Sequence, residues 1–252
     1  MMMRRDFLAG LPLLPSLRFQ MTVADKAELM FKTSAKNPNG LQAAREGLWV
    51  LDQGTNKVSL QNWSDGKVLR EFDTKTDKGS GITFDGKDLW IASTYNRLLV
   101  KLSAQDGKTI KELPSPGSGV VHWGPRAAHP RPTGAHGLEW RDGQLYVSNP
   151  PDHTIYVVNP EDGSVLRKFP APGVRPHGIG WDPDGALWVA ESIYRTFYKM
   201  DRTTGKIVRA IALPLTEPKV DDLIIVPHGL TVHEKYIWWS CAETAEVYRV
   251  AL

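Results

Sequence analysis

Apolar and polar positions alternate with a period of two along most of this chain, in runs of five to eight residues broken by Gly-containing turns. That alternation predicts β-strands with one face buried, and an Asp-Gly pair between two such runs predicts a tight hairpin. The runs fall into a repeated order. A first strand leads through a turn (FDGKD, WRDGQ, WDPDGA) to a strand with an aromatic centre: EGLWVLD, KDLWIAS, GQLYVSN, GALWVAE and YIWWSC. A third strand follows, then a second Gly turn (SDGK, QDGK, EDGS, TTGK) and a fourth strand (VLREF, TIKEL, VLRKF, IVRAI). The aromatic centres are Trp49, Trp90, Tyr146, Trp188 and Trp238, at steps of 41, 56, 42 and 50 residues. No segment beyond the first thirty residues has helical periodicity.

Four antiparallel strands repeated at roughly 40–50 residues describe the blades of a β-propeller. Five centres give an all-β, five-bladed ring; a six-bladed ring, the alternative, needs a further unit that the chain does not supply. The last unit stops at its third strand, Val247–Leu252, while the segment around Leu29–Thr33 has no unit of its own. The expectation is that this N-terminal strand completes the last blade and closes the ring, which buries most sheet edges.

Composition adds limits. The chain has 252 residues, of which 41% are hydrophobic and 23% charged, so one globular domain is expected. Of the net charge of +3, Arg4, Arg5 and Arg18 against Asp6 supply +2, leaving +1 for the rest. A body this close to neutral, without a basic run, argues against a nucleic-acid partner. No apolar stretch is long enough to span a bilayer. A single cysteine, Cys241, excludes an intrachain disulfide and reads as core filling. The opening MMMRRDFLAGLPLLPSL has the form of a twin-arginine export signal, with Thr22-Val23-Ala24 as a small-residue cleavage stretch. Residues 1–24 are therefore expected to direct export to the periplasm or outside, and residues 25–252 to form the propeller.

The candidate chemistry sits in two repeated columns. The residue at the start of each first strand is Asn39, Ser80, His136, His177 or His228 in blade order, each just before a Gly. The residue three past each aromatic centre is Asp52, Ser93, Asn149, Glu191 or Cys241. In a propeller both columns are expected on one face of the hub. His136, His177 and His228 in adjacent blades can bind a divalent metal. Zinc suits three imidazoles with a fourth position open, and other transition metals or magnesium are the alternatives. Such a metal lowers the pKa of bound water or polarises a carbonyl. The competing reading is that each His hydrogen-bonds a neighbouring turn. Glu191 can act as a base, as a fourth ligand, as a partner orienting an imidazole, or as a backbone acceptor at its strand end. Tyr194 and Arg195 (ESIYRT) and Tyr95 (STYNR) are candidates for proton donation and carboxylate binding, and His153 is expected in a turn. Two insertions, residues 118–134 and 215–227, emerge on the same face. The first carries His122, Trp123, Arg126, His129 and Arg131 and reads as a rim or lid; the second carries Asp221 and Asp222.

The strings RPHGIGWDPDGALWVAE and VPHGLTV resemble those of streptogramin B lyase-like (virginiamycin B lyase-like) propellers, and the repeat is similar to NHL and gluconolactonase-like propellers too. The lyase resemblance covers residues 40–250 and implies a metal-assisted elimination that opens a cyclic depsipeptide at an ester, with His177, His228 and Glu191 in the roles of its His and Glu. That family has seven blades and this chain five. The three PHG-like strand starts are also similar to peptidyl-hydroxyglycine alpha-amidating lyase, which implies zinc held by His136, His177 and His228, with Tyr194 or Tyr95 and Arg195 beside it. Five-bladed glutaminyl cyclases share only the blade count. The expectation is an exported, metal-dependent lyase, monomeric, acting on a small or peptide-like substrate. A lactone or ester hydrolase and a non-catalytic binding propeller are the alternatives.

Overall fold

A computed structural model describes residues 19–122, 131–214, 219–220, 223–224 and 226–252. Five four-stranded sheets follow one another around a ring. Blade 1 comprises Pro38–Ala44, Gly47–Asp52, Lys57–Gln61 and Val68–Asp73. Blade 2 comprises Gly79–Phe84, Asp88–Ser93, Leu98–Ser103 and Thr109–Pro114. Blade 3 comprises Gly137–Arg141, Gln144–Asn149, Thr154–Val158 and Val165–Pro170. Blade 4 comprises Pro176–Trp181, Leu187–Glu191, Thr196–Met200 and Ile207–Ala212. Blade 5 comprises Leu230–His233, Tyr236–Cys241, Glu246–Ala251 and, from the N-terminal side, Glu28–Lys32. The closing strand is the expected one. It pairs antiparallel with Glu246–Ala251, and Arg249 Nε reaches Glu28 Oε2 at 2.8 Å across the seam. No helix among the described residues is long and apolar enough to cross a membrane.

The aromatic centres hold the ring together. The buried apolar residues form five clusters, and each cluster joins two neighbouring blades. Trp49 packs into the seam with blade 2, Trp90 with blade 3, Tyr146 with blade 4, Trp188 with blade 5 and Trp238 with blade 1. Full burial of one such side chain stabilises by about 3 kcal/mol before entropy is counted. In blades 2 and 4 the indole N–H also finds a partner, donating to Asp85 Oδ2 at 3.3 Å and Asp182 Oδ2 at 2.7 Å. Lys101 and Lys199 neutralise these aspartates.

Three strands lie outside the four-per-blade plan: Lys219–Val220 and Leu223–Ile224, which pair with each other, and an N-terminal one. Gln20–Val23 adds to the outer edge of blade 4, parallel to Ile207–Ala212. These residues belong to the segment expected to direct export; Arg4 and Arg5 lie outside the described residues.

The hub is closed by glycine. Gly40, Gly81, Gly137, Gly178 and Gly229 stand one per blade where the inner strands converge. A Cβ on Gly137 would lie 2.1 Å from the His177 carbonyl oxygen, and one on Gly178 2.3 Å from the Leu230 nitrogen. The close approach runs from each blade to the next, and a Cβ on Gly229 would lie 2.8 Å from Asn39 O to complete the circle. Adjacent inner strands even share a hydrogen bond, Gly178 N–H to His228 O at 2.9 Å. Around Leu41, Ile82, Leu138, Ile179 and Leu230 the passage leaves no room for a water molecule.

Candidate functional site: a blind funnel over the glycine ring

Because each glycine follows a residue of the first column, the closed hub forces those five side chains together above it. His136, His177 and His228 are all buried. The His136 and His177 rings meet edge-on with centroids 4.7 Å apart, and His177 meets His228 in the same way at 4.8 Å. His136 Nδ1 and His177 Nε2 are 3.0 Å apart, so one ring donates and the other accepts. His228 Nε2 lies 3.1 Å from Glu243 Oε1. Above this floor opens a cavity of about 280 Å³, whose wall includes Asn39, Gln53, Tyr95, Arg175 and Glu243.

Burial, and then the nearby His136, His228 and Arg175 charges, push His177 well below the ordinary histidine range. His228 is lowered too, chiefly by burial, although its bond to Glu243 works the other way. Both imidazoles are therefore neutral near pH 7. For Glu243, burial pushes the carboxyl up, but the hydrogen bond and charge of His228 and the Cys241 thiol outweigh it and hold it at about 2. Cys241 Sγ–H donates to Glu243 Oε2 at 3.2 Å, and burial pushes that thiol up to about 12, which leaves it protonated.

The three histidines thus lie side by side, with His177 between His136 and His228. Two nitrogens are spent on each other and a third on Glu243. Among the described residues no group of three or more His, Cys, Asp or Glu is placed to hold a metal ion. His177 Nδ1 and His228 Nδ1 are buried without a hydrogen-bond partner among the described residues.

The second column does not join the first. Glu191 is fully buried and accepts the backbone N–H groups of Val174, Arg175 (2.6 Å) and Tyr194. Asp52 does the same for Lys36, Asn37 and Gly54, and Ser93 for Asp77. These side chains tie the end of the second strand to the loop that enters their own blade. Glu191 is therefore in the funnel's supporting wall and not on its lining.

The hairpin after each second strand explains the remaining candidates. Its fourth residue past the column is left-handed in every blade: Asn56, Arg97, His153, Arg195 and Ala245 have φ between 51° and 61°. Arg195 occupies this turn position, and its Nη1 donates to Pro214 O at 2.6 Å. His153 is the turn residue expected, capping the short 3-10 segment Pro150–Asp152. Counted from this anchor, Tyr95 is the second turn residue and Tyr194 the third, so the two are not equivalent. Tyr95 lines the funnel, whereas Tyr194 is 54% exposed and is not part of the lining. Glu243 holds the Tyr95 position in blade 5, and aligning the turns on the left-handed residue would have found it. Arg175, two residues before His177, had no repeated counterpart to reveal it. Of the insertions, Thr133 reaches the funnel wall and pairs with Gly119. Trp123, Arg126, His129, Asp221 and Asp222 lie outside the described residues.

No protein-family model matches the chain, and no curated protein does. Its structure is similar to Myxococcus xanthus glutaminyl cyclase, with a TM-score of 0.69 at 13% identity over 92% of this chain and 97% of that one. It is similar to a streptogramin B lyase at 0.55 and 18% identity, over 90% of this chain and 97% of that one. A catalytically inactive virginiamycin B lyase variant from Staphylococcus aureus, solved with quinupristin, gives 0.50 at 19% over 85% of this chain and 66% of that one. At these identities the likeness is one of fold, that of a β-propeller.

Proposed function

We propose that the protein is a proton-transfer enzyme, a lyase-type propeller that works by elimination or ester opening at the histidine floor of the funnel. The observation that carries this is the 3.0 Å contact between His136 Nδ1 and His177 Nε2. Two imidazoles in hydrogen-bond contact hold one N–H and one lone pair between them. A proton taken at one ring can be passed to the other without building two positive charges. His228 and its carboxylate partner Glu243 stand beside the pair, with Tyr95 on the wall as a donor for a leaving oxygen. General acid–base catalysis of this kind contributes about 10²–10⁴-fold. A cavity of about 280 Å³ is at the small end for ligand sites, so it admits a small molecule or the reacting end of a peptide-like one. The likeness to a streptogramin B lyase and a glutaminyl cyclase supports an enzyme on this fold and suggests the direction of the chemistry. Glu191, Tyr194 and Arg195 then serve as supports of the wall.

A metal-assisted form of the same reaction is the second reading. It is favoured by three imidazoles from adjacent blades meeting with ring centroids 4.7 and 4.8 Å apart. Zinc or another divalent ion would polarise a carbonyl there. His136 would have to part from His177, and His228 from Glu243, to make the ligand set. Export by the twin-arginine route belongs to the proposal as well; it rests on Arg4 and Arg5, and cell fractionation tests it.

The functional test is a panel of peptide esters, lactones and cyclic depsipeptides analysed by mass spectrometry. Elimination leaves the total mass unchanged and creates a double bond, whereas hydrolysis adds water. His177→Gln must abolish the product. Full activity in that variant, or an inert wild type across the panel, overturns the enzyme reading in favour of a binding propeller. Elemental analysis of the same sample, showing one equivalent of a transition metal whose removal stops turnover, would move the conclusion to the metal-assisted form.

A further inference from the structure

We infer that a second ligand site, away from the funnel, lies between blades 4 and 5 and takes a small carboxylic acid with an apolar body, anchored by Arg209. A cleft of about 420 Å³ opens there, with one wall made by the N-terminal segment as it passes from its strand on blade 4 to its strand on blade 5. The cleft and the histidines are at opposite ends of the blades: Tyr236, on its wall, opens the strand that Cys241 closes beside the funnel. Arg209 comes from the outer strand of blade 4, where its neighbours across the sheet are Lys199 and Gln20, a cation and an amide. Lys199 is itself neutralised by Asp182 at 3.2 Å and Asp184 at 2.6 Å. Asp201, which lines an adjoining cleft with Arg209, accepts the backbone N–H groups of Thr203 and Thr204 in its own turn. Among the described residues no carboxylate pairs with Arg209, and its Nε is buried without a hydrogen-bond partner. The other charges of the cleft are balanced. Arg249 Nε holds Glu28 Oε2 at 2.8 Å, and Asp25 and Lys26 are exposed at the mouth with opposite signs. One uncompensated guanidinium remains for a ligand. A carboxylate matches its planar fork, and a buried donor left unmet is costly. Ile211, Val250 and Tyr236 make the rest of the wall largely apolar, so the acid carries a hydrocarbon body and no second charge. The volume lies within the range of small-molecule sites. Arg209, Ile211, Tyr236 and Val250 all lie beyond the segment expected to direct export.

Calorimetric titration of the full chain tests this. The probes are sodium hexanoate and sodium benzoate, their neutral counterparts hexanamide and benzamide, and sodium acetate as the carboxylate without the body. The expected result is one-to-one binding of hexanoate, benzoate or both. The matching amide should be weaker by about tenfold or more, because the ion pair is lost. Acetate should be weaker than the larger acid by about tenfold or more, because the hydrocarbon contact is lost. Arg209→Gln is expected to weaken the bound acid by about tenfold or more, and Arg209→Lys by less, since the charge stays and the fork is lost. Failure of both larger acids to bind, an amide as tight as its acid, acetate as tight as the larger acid, or an acid unaffected by Arg209→Gln would overturn the inference. Binding that survives Arg209→Gln and is lost in His177→Gln would do the same, by placing the acid in the funnel. If the Gln variant does not fold, the Lys variant and the acid–amide comparison decide. None of the probes carries a leaving group, so failure here leaves the proton-transfer proposal standing. An inert substrate panel, conversely, leaves the site at Arg209 intact.

Discussion

Blades 1 and 2 and blades 3 to 5 meet the hub with the same backbone and different chemistry. In all five a glycine presses against the next blade, and the residue before it is turned into the ring. In blades 1 and 2 that residue is Asn39 or Ser80, and Ser80 Oγ accepts only a neighbouring amide, from Gln53 at 2.9 Å. In blades 3 to 5 it is a histidine. Two of the five units thus close the hub without an imidazole, so the histidines are not needed to close it. Closure belongs to the glycines and chemistry to the residues before them, and the two can be separated by mutation.

The largest effect is expected from attacking closure itself. Gly178→Ala places a methyl 2.3 Å from the Leu230 backbone nitrogen and 2.6 Å from His228 O. Backbone cannot swing aside as a side chain can, so the blades must move apart. The expected loss is roughly 3 kcal/mol or more, at the upper end of overpacking effects. Gly119→Ala, where the nearest atom is 3.6 Å away, is the control and should stay within about 0.5 kcal/mol. Urea midpoints measure both. Equal midpoints for the two variants would mean that the glycine ring is not what closes the hub.

The seam between the two regions holds a carboxyl with no role in the proposed chemistry. Glu139 of blade 3 is buried and accepts Thr83 Oγ1–H of blade 2 at 3.2 Å and the Trp140 N–H at 3.3 Å. Burial pushes its pKa up to about 8 from 4.5. The unfolded chain releases this proton from about pH 4.5 and the folded chain holds it until about pH 8. Stability therefore falls as pH rises between those values, by at most about 1.4 kcal/mol per unit. Glu139→Gln keeps an acceptor for both donors and has no proton to lose. It should match the wild type at pH 4 and exceed it at pH 7 by on the order of 2 kcal/mol. A variant no more stable than wild type at pH 7 would place a charged, solvated carboxylate at the seam instead.

How much of this could be read from the residues differs between the same two layers. The blades were legible because strand alternation, Asp-Gly turns and aromatic centres repeat, and because the last unit lacked the strand that Leu29–Thr33 could supply. The histidine register was legible because each imidazole precedes a glycine. What the chain does not display is which backbone N–H groups lack a partner. That is why Glu191 reads equally as a base, a ligand, an imidazole partner or a backbone acceptor, of which the structure shows the last, to three amides of its own blade. Nor does it display turn register: Tyr95 and Tyr194 sit in similar strings, yet a one-residue offset from the left-handed position sends one into the funnel and the other into solvent. The histidine register follows from spacing, but spacing does not say which ring nitrogens pair with one another or with Glu243.

Within the histidine blades, His177→Gln should cost about 1–2 kcal/mol near pH 7, since it leaves His136 without its ring partner. The difference should narrow on acidification. His177 is depressed in the fold, so the unfolded chain binds its proton first as pH falls below 6.5, and wild-type stability is lost in that direction. The glutamine variant lacks that contribution. Denaturation at pH 7 and pH 5 checks it, and a gap that widens at pH 5 would mean that His177 is protonated in the native protein.

The smallest effect tests the comparison most directly. His228→Asn gives blade 5 the residue that blade 1 already carries before its glycine. Asn39 fits that place while remaining buried, so asparagine should be accommodated in blade 5 with a loss under about 1 kcal/mol. The consequence should appear at Glu243 instead. Its carboxyl is held at about 2 against the upward push of burial, and the His228 contact is the foremost of the groups holding it there. Without the imidazole its pKa should climb toward or past 4.5, which carbon-13 titration of the side-chain carboxyl would follow. Stability and carboxyl titration would then part company, one nearly unchanged and the other displaced. If instead the variant unfolds, the histidine is part of the closure after all, and the division between backbone frame and exchangeable chemistry fails in blade 5.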